Sequence, residues 1–279
     1  MDLGLKYKNL KETIRPLSRV VVAFSGGVDS TLLLKVCLDT LGQENVLAMI
    51  GISPTYPNTE IEEAKRLADE MGAAYKTVDT HEMEDPDFVR NPQTRCYYCK
   101  ANLFRIACEL AGREGYRHVL EGSNLDDEKD FRPGRRAIAE WKVKSPLLEV
   151  GLTKKEIRVI SKRLGLPTHN KPSYACLSSR IPYGTAITFE LLNRVERSEV
   201  FLKGLGLKQV RVRCHNDIAR IEVDPSDFPT VLREYEPIVE ALKQLGFNYV
   251  TLDLQGYRSG SMNETLEVLG HLNPGWENP

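Results

Sequence analysis

The sequence has no excess of either charge: 38 Lys and Arg stand against 39 Asp and Glu, a formal net charge of -1 over 279 residues. A chain so balanced does not advertise a polyanion as its partner, and nucleic acid is left without support beyond what a local basic patch could offer. Long apolar runs are missing too. The N-terminal stretch MDLGLKYKNLKETIRPLSR carries charges throughout, so neither a signal peptide nor a membrane span is expected and the cytoplasm is the expected compartment. No internal repeat or low-complexity stretch is present. Without a secretory signal, the six cysteines point away from a disulfide framework and toward thiols, metal ligands or core residues.

What is present suits a soluble globular chain: 41% hydrophobic and 28% charged residues, enough for one large core or two packed domains. VVVAF at 20–24 is a short β-branched run, SGGVDS follows, and TLLLKVCLDTLG repeats apolar residues at helical spacing up to Gly42. VLAMIGIS (46–53) reads as a second buried strand, TEIEEAKRLADEMG as a helix and AAYKTVDT as a third strand. A helix over about 98–115, a strand at HVLEGSN (118–124) and a helix opened by a Thr153/Glu156 capping box continue the alternation. The pattern predicts an α/β fold, a doubly wound parallel sheet with helices on both faces, over residues 1–183. After Tyr183 the rhythm changes: a helix (188–204), strands QVRVRCHN and IARIEV, a helix (226–245) and a last strand YVTLDL predict a smaller α/β domain over 184–279.

Ligands of open α/β sheets collect at the carboxyl ends of the strands. SGGVDS, Ser53, GSNLDD and the loop holding Cys176 all fall there. The adjacent glycines let the backbone approach a ligand closely, and the following helix presents free amides to an anion. This is not the G-x-x-x-x-G-K-[ST] nucleoside triphosphate loop, because the lysine is missing and the spacing is shorter. The plainer alternative is a tight strand-to-helix turn with Asp29 and Ser30 capping the helix.

SGGVDS resembles the signature of the PP-loop ATP pyrophosphatases, which split ATP between the α and β phosphates to adenylate an oxygen that a nucleophile then displaces. The resemblance implies an adenine nucleotide alpha hydrolase-like fold, with Ser25, Gly26, Gly27 and Ser30 holding the pyrophosphate, Asp29 near Mg2+, and Ser53 in the nucleotide site. DFRPG (130–134), ACLSSRIPYG (175–184), VRVRCHNDIARIE (210–222) and GYRSG (256–260) narrow it further: nearly the whole chain is similar to the LarE family, ATP-dependent sulfur transferases of nickel-pincer nucleotide synthesis for lactate racemase. That similarity implies a pyridinium mononucleotide substrate whose two carboxylates are adenylated and converted to thiocarboxylates. It places Cys176 as the sulfur-handling cysteine, and Lys100 and Asp127 near the nucleotide and acyl chemistry. Ser179, Arg180, Glu199, Arg211, Arg213, Glu222 and Arg258 fall on the substrate side. Arg211 and Arg213, two apart on a strand, share one face and could grip a phosphate or line an exposed face of surface ion pairs. The C-terminal domain is expected to serve substrate binding and assembly as a homo-oligomer.

Family members with a single cysteine give up its own sulfur and keep dehydroalanine. This chain departs from them with RCYYCK (95–100), which adds Cys96 and Cys99. Three thiolates on a 4Fe-4S cluster leave one iron open for a sulfide, an arrangement related tRNA-thiolating enzymes use. Cys96, Cys99 and Cys176 are accordingly expected to bind such a cluster, with sulfide resupplied from outside. A zinc site, a Cys96–Cys99 redox pair, tRNA thiolation and a non-enzymatic nucleotide sensor are the competing readings. Cys37 and Cys108 fall on apolar helix faces and read as core cysteines.

Overall fold

The computed structural model describes residues 2–128, 134–172, 175–258 and 260–262. The chain divides into two compact units, Met1–Tyr174 and Ala175–Pro279, so ACLSSRIPYG belongs with the second unit. Among the described residues no helix is long and apolar enough to cross a membrane.

In the first unit, β1 (Val20–Ala23), β2 (Val46–Ile52), β3 (Ala74–Asp79) and β4 (His118–Leu120) form one parallel sheet in the order β3-β2-β1-β4. Register is anchored where Val20 lies between Val46 and His118. Successive side chains leave opposite faces of a strand, and here the two faces feed different cores. Val20 and Val22 join one apolar cluster with α1 (Leu3–Ile14), α2 (Val28–Leu41), α3 (Asn58–Glu70) and α6 (Lys154–Arg163). Val21, Leu47 and Met49 join the other, against α4 (Arg95–Arg113) and α5 (Arg135–Glu140). The near-continuous apolar spelling of VVVAF and VLAMI is the consequence of burial on both sides.

The connection reverses between β1 and β4: α2 and α3 cover one face, and α4, which leads into β4, covers the other. That reversal leaves a crevice beyond the carboxyl ends of β1 and β4. The strand expected at 118–124 stops at Leu120, beyond which the Glu121 carboxylate accepts the Ser123 amide (3.0 Å) and the chain turns into a 3-10 segment, Leu125–Glu128. The capping box at α6 is present, with Thr153 and Glu156 satisfying each other's amides.

The second unit contains α7 (Phe189–Gly204), an antiparallel pair β5 (Val210–His215) and β6 (Ile218–Val223), α8 (Phe228–Arg233), α9 (Tyr235–Gln244) and β7 (Tyr249–Leu252), the sheet running β5-β6-β7. The helix expected as one piece over 226–245 is a 3-10 turn and two helices broken at Glu234. Pro237 has no N–H for the carbonyl four positions back, so the helix restarts there.

Candidate active site

The SGGVDS turn ends β1 and starts α2 as the sequence requires, but the cap is Gly27, and it offers no side-chain bond to the helix amides. Asp29 and Ser30 do not cap. Ser30 Oγ lies 3.1 Å from Ser25 Oγ and donates back to the Gly27 carbonyl (3.3 Å). The first-turn amides of α2 are left without a side-chain acceptor at the mouth of the crevice, a geometry and dipole that suit an anion. Gly26 is required there: its φ is +65°, and a Cβ would stand 3.1 Å from Ala64. Across the crevice, a Cβ on Gly122 would come 3.1 Å from the Ser30 amide, so the loop after β4 packs directly on the turn.

The cleft above this turn has a volume of about 340 Å³ and is lined by Ser25, Gly27, Asp29, Ser30, Lys100, Glu121, Asp127, Lys154 and Lys171. The lysine that the glycine motif lacks is thus supplied three times over by distant segments. Lys154 pairs with Asp29. Lys171 reaches the Gly26 carbonyl (3.3 Å) and the carboxylates of Glu60 (2.8 Å) and Glu63 (2.7 Å). Lys100 stands 3.6 Å from Glu121. Burial pushes the Asp29 carboxyl above its usual range and Lys154 pulls it back down, while the charge of Asp127 raises it again. Its Oδ1 is buried without a hydrogen-bond partner. Asp127 is held by the Asn124 amide (2.9 Å).

Beside the cleft, a mostly apolar pocket of about 110 Å³ opens between the ends of β1 and β2, walled by Phe24, Met49, Ile50, Ile61 and Leu103. Its polar end is Ser53, Thr80 and Glu82, and Cys99 also faces it. Glu82, Glu121, Lys154 and Lys171 went unnoticed in the sequence. Each lies in an unremarkable charged stretch, and only the fold carries it to the crevice.

RCYYCK forms the first turn of α4, with Cys96 exposed and Cys99 half-buried. The DFRPG stretch lies outside the described residues except for Gly134, where a Cβ would stand 3.1 Å from the Cys96 carbonyl and meet the Lys100 side chain. Among the described residues, no three His, Cys, Asp or Glu are gathered to hold a metal. Cys37 is fully buried and its thiol is pushed well above the usual range by burial. Cys108 is half-buried against the core of the α4 face.

In the second unit most of the residues singled out from the sequence form one network. Arg180 is fully buried and grips Glu199 with two nitrogens (2.8 and 3.0 Å), while its remaining arm donates to the Ala175 and Cys176 carbonyls and to Ser179 Oγ. Glu199 also accepts the Val212 amide (3.1 Å). The turn bearing Cys176 is thereby fastened to α7 and β5. Arg213 donates to the Ser179 carbonyl (2.9 Å), to Glu222 (2.8 Å) and to Ser261 (3.0 Å). Arg220 joins Glu222 (2.9 Å) and approaches Asp253, which Arg258 also approaches. Arg211 lies over the Tyr257 ring at 5.3 Å. Arg211 and Arg213 are only 4% and 5% exposed, so the arginine face is not a solvated one. His215 shares it, and its imidazole is held below the ordinary range by burial and by Arg220 and Arg213.

Comparison with known proteins agrees with this architecture. A family model described as NAD synthase matches residues 5–96, the segment carrying β1, the glycine turn, β2 and β3. The pyridinium-3,5-bisthiocarboxylic acid mononucleotide synthase of Lactiplantibacillus plantarum is 40% identical over 264 residues, covering 95% of this chain and 96% of that protein. The chain belongs to the LarE family. It is an ATP-dependent PP-loop enzyme with an adenine nucleotide hydrolase-like sheet. An uncharacterised Synechocystis protein is 44% identical over 266 residues, 95% of this chain and 99% of its own length. The tRNA-specific 2-thiouridylase MnmA of Thermus thermophilus is more distant, 26% identical over 271 residues, 75% of this chain and 72% of that protein.

Proposed function

We propose that the protein adenylates the carboxylates of pyridinium-3,5-biscarboxylic acid mononucleotide and converts them to thiocarboxylates. The observation that carries this reading is the uncapped N-terminus of α2, set behind a glycine turn at the sheet's switch point and ringed by Lys100, Lys154 and Lys171. Ser25, Gly26, Gly27 and Ser30 would hold the departing pyrophosphate, and Ser53, which lines the apolar pocket, would lie toward the base. The partnerless Asp29 Oδ1 fits Mg2+, which would neutralise phosphate charge. A substrate carboxylate oxygen attacks the α phosphorus, pyrophosphate leaves, and Lys100 and Asp127 flank the acyl-adenylate. A sulfur nucleophile then attacks the acyl carbon and AMP departs; where that sulfur is the Cys176 thiolate, the thioester releases the thiocarboxylate by breaking its Cβ–Sγ bond with loss of the Cα proton, which leaves dehydroalanine. Arg211, Arg213 and Arg258 suit the substrate's anionic groups, with Glu222 orienting Arg213 and Glu199 holding Arg180. Arg180, consumed by Glu199, supports the turn of Cys176 and Ser179.

For the sulfur, Cys96, Cys99 and Cys176 would hold a 4Fe-4S cluster, which would supply a sulfide. Cys96 and Cys99 suit two corners of such a cluster, being one helical turn apart. The third thiolate would come from the second unit. The alternative is transfer of the Cys176 sulfur itself, leaving dehydroalanine. Anaerobically reconstituted protein should contain about four irons per chain, lost in Cys176→Ala, and release pyrophosphate when given ATP and the biscarboxylic mononucleotide. Absence of iron, with one turnover and loss of a sulfur's mass from Cys176, establishes the sacrificial route. Absence of pyrophosphate release overturns the adenylation reading.

A further inference from the structure

The lysines that line the cleft, Lys100, Lys154 and Lys171, are held in different ways. Lys171 has three acceptor oxygens within 3.3 Å, on Glu60, Glu63 and the Gly26 carbonyl, as many as an ammonium has protons. Lys154 is drawn to Asp29. Lys100 differs from both: among the described residues its ammonium makes no hydrogen bond, and its carboxylate neighbour, Glu121, stands off at 3.6 Å. That is beyond the roughly 2.7–3.2 Å of an N–H···O bond.

Confinement takes the place of bonding. Lys100 sits one turn before Phe104 on α4, and its ammonium lies over that buried ring, 5.8 Å from the centroid. Beside its stem is Gly134, where a Cβ would come 2.6 Å from Lys100 Cδ. Glu121 is itself 7% exposed and anchored at three points. Its Oε1 accepts the Ser123 amide (3.0 Å) and the Ser145 hydroxyl, and its Oε2, the oxygen nearer Lys100, accepts the Ser123 hydroxyl (2.9 Å). A carboxylate fastened in this way does not swing across to Lys100, so the pair attracts without closing.

We infer that Glu121 is the positioning residue for Lys100: it aims the ammonium into the cleft and leaves its protons for an incoming oxyanion. The next residue, Gly122, packs against the Ser30 amide, where a Cβ would stand at 3.1 Å, so the loop that places Lys100 also borders the N-terminus of α2. Under the adenylation reading, on which this assignment rests, the oxyanion is that of the α phosphate as the substrate carboxylate attacks it, where negative charge accumulates. A misplaced Lys100 therefore slows turnover while ATP is still bound.

The test is a double-mutant cycle on pyrophosphate release by the full-length protein given MgATP and the biscarboxylic mononucleotide, with Glu121→Gln, Lys100→Met and the two combined. Glu121→Gln keeps the shape and removes the charge. It should lower kcat on the order of ten- to a hundredfold and change the KM for ATP by less than about threefold. In the Lys100→Met background the same substitution should cost less than about twofold, because no ammonium is left to place. Gly134→Ala alters no charge and should reproduce the kcat loss by displacing the Lys100 stem. Equal losses from Glu121→Gln with and without Lys100 make the carboxylate purely structural and overturn the inference, as does a loss confined to the KM for ATP. Where Glu121→Gln does not fold, Gly134→Ala decides, and an undiminished kcat there overturns the inference. A wild type that releases no pyrophosphate defeats the adenylation reading, and the role of Glu121 falls with it.

Discussion

Asp29 shows what a single residue gains from its surroundings. At the second position of α2 it would ordinarily serve as a helix-favouring acid. Here it is buried beside Asp127 and depends on Lys154 for compensation, and its carboxyl is raised above the ordinary range by burial. Lys154→Met removes the lowering influence, so the pKa rises further. An acid that must be ionised to act loses activity as the pH falls through its pKa. The acid limb of the pH profile of pyrophosphate release should therefore move to higher pH by about one unit or more, and a limb left in place would separate Lys154 from Asp29 function. Nothing in TKKE marks Lys154 over its neighbour Lys155, because the distinction lies in which side of α6 faces the crevice.

At the scale of elements, the segment carrying Cys176 is a short 3-10 turn, Leu177–Arg180, which cannot hold its own geometry. Its position comes from Arg180, whose guanidinium spans Glu199 on α7 and the carbonyls that precede the turn. Removing one member of a buried pair strands the other, at about 3–5 kcal/mol, whereas replacing both with apolar residues costs far less. Arg180→Met and Glu199→Leu should each destabilise the protein by that amount in urea unfolding, and the double variant should recover most of the loss. Additive losses would show that the two residues do not act as a pair. The sequence pattern located α7 and β5 to within a residue or two, since apolar periodicity and β-branched runs are local signals. It did not foresee the break at Glu234, where Pro237 overrides an otherwise helical pattern.

For the whole molecule, the near-neutral balance of 38 basic and 39 acidic residues does not favour a polyanion partner. Polyanion binding scales with the phosphates that Lys and Arg neutralise and is steeply salt-dependent. At about 0.15 M salt, where charges are screened over about 8 Å, tRNA should not be retained by the protein in a filter assay. Retention that falls steeply with added salt would instead favour a thiouridylase reading. The sequence by itself determined the two-sided parallel sheet, because strands buried on both faces must be written as continuous apolar runs. It also determined the glycine turn, because a φ of +65° together with a 3.1 Å approach of any Cβ to Ala64 favours glycine at position 26. Only the tertiary structure decided which charges surround that turn. Lys100, Lys154 and Lys171 come from separate segments, and the burial that sets the environment of Asp29, Glu82 and Arg180 is created by packing among elements distant in the chain.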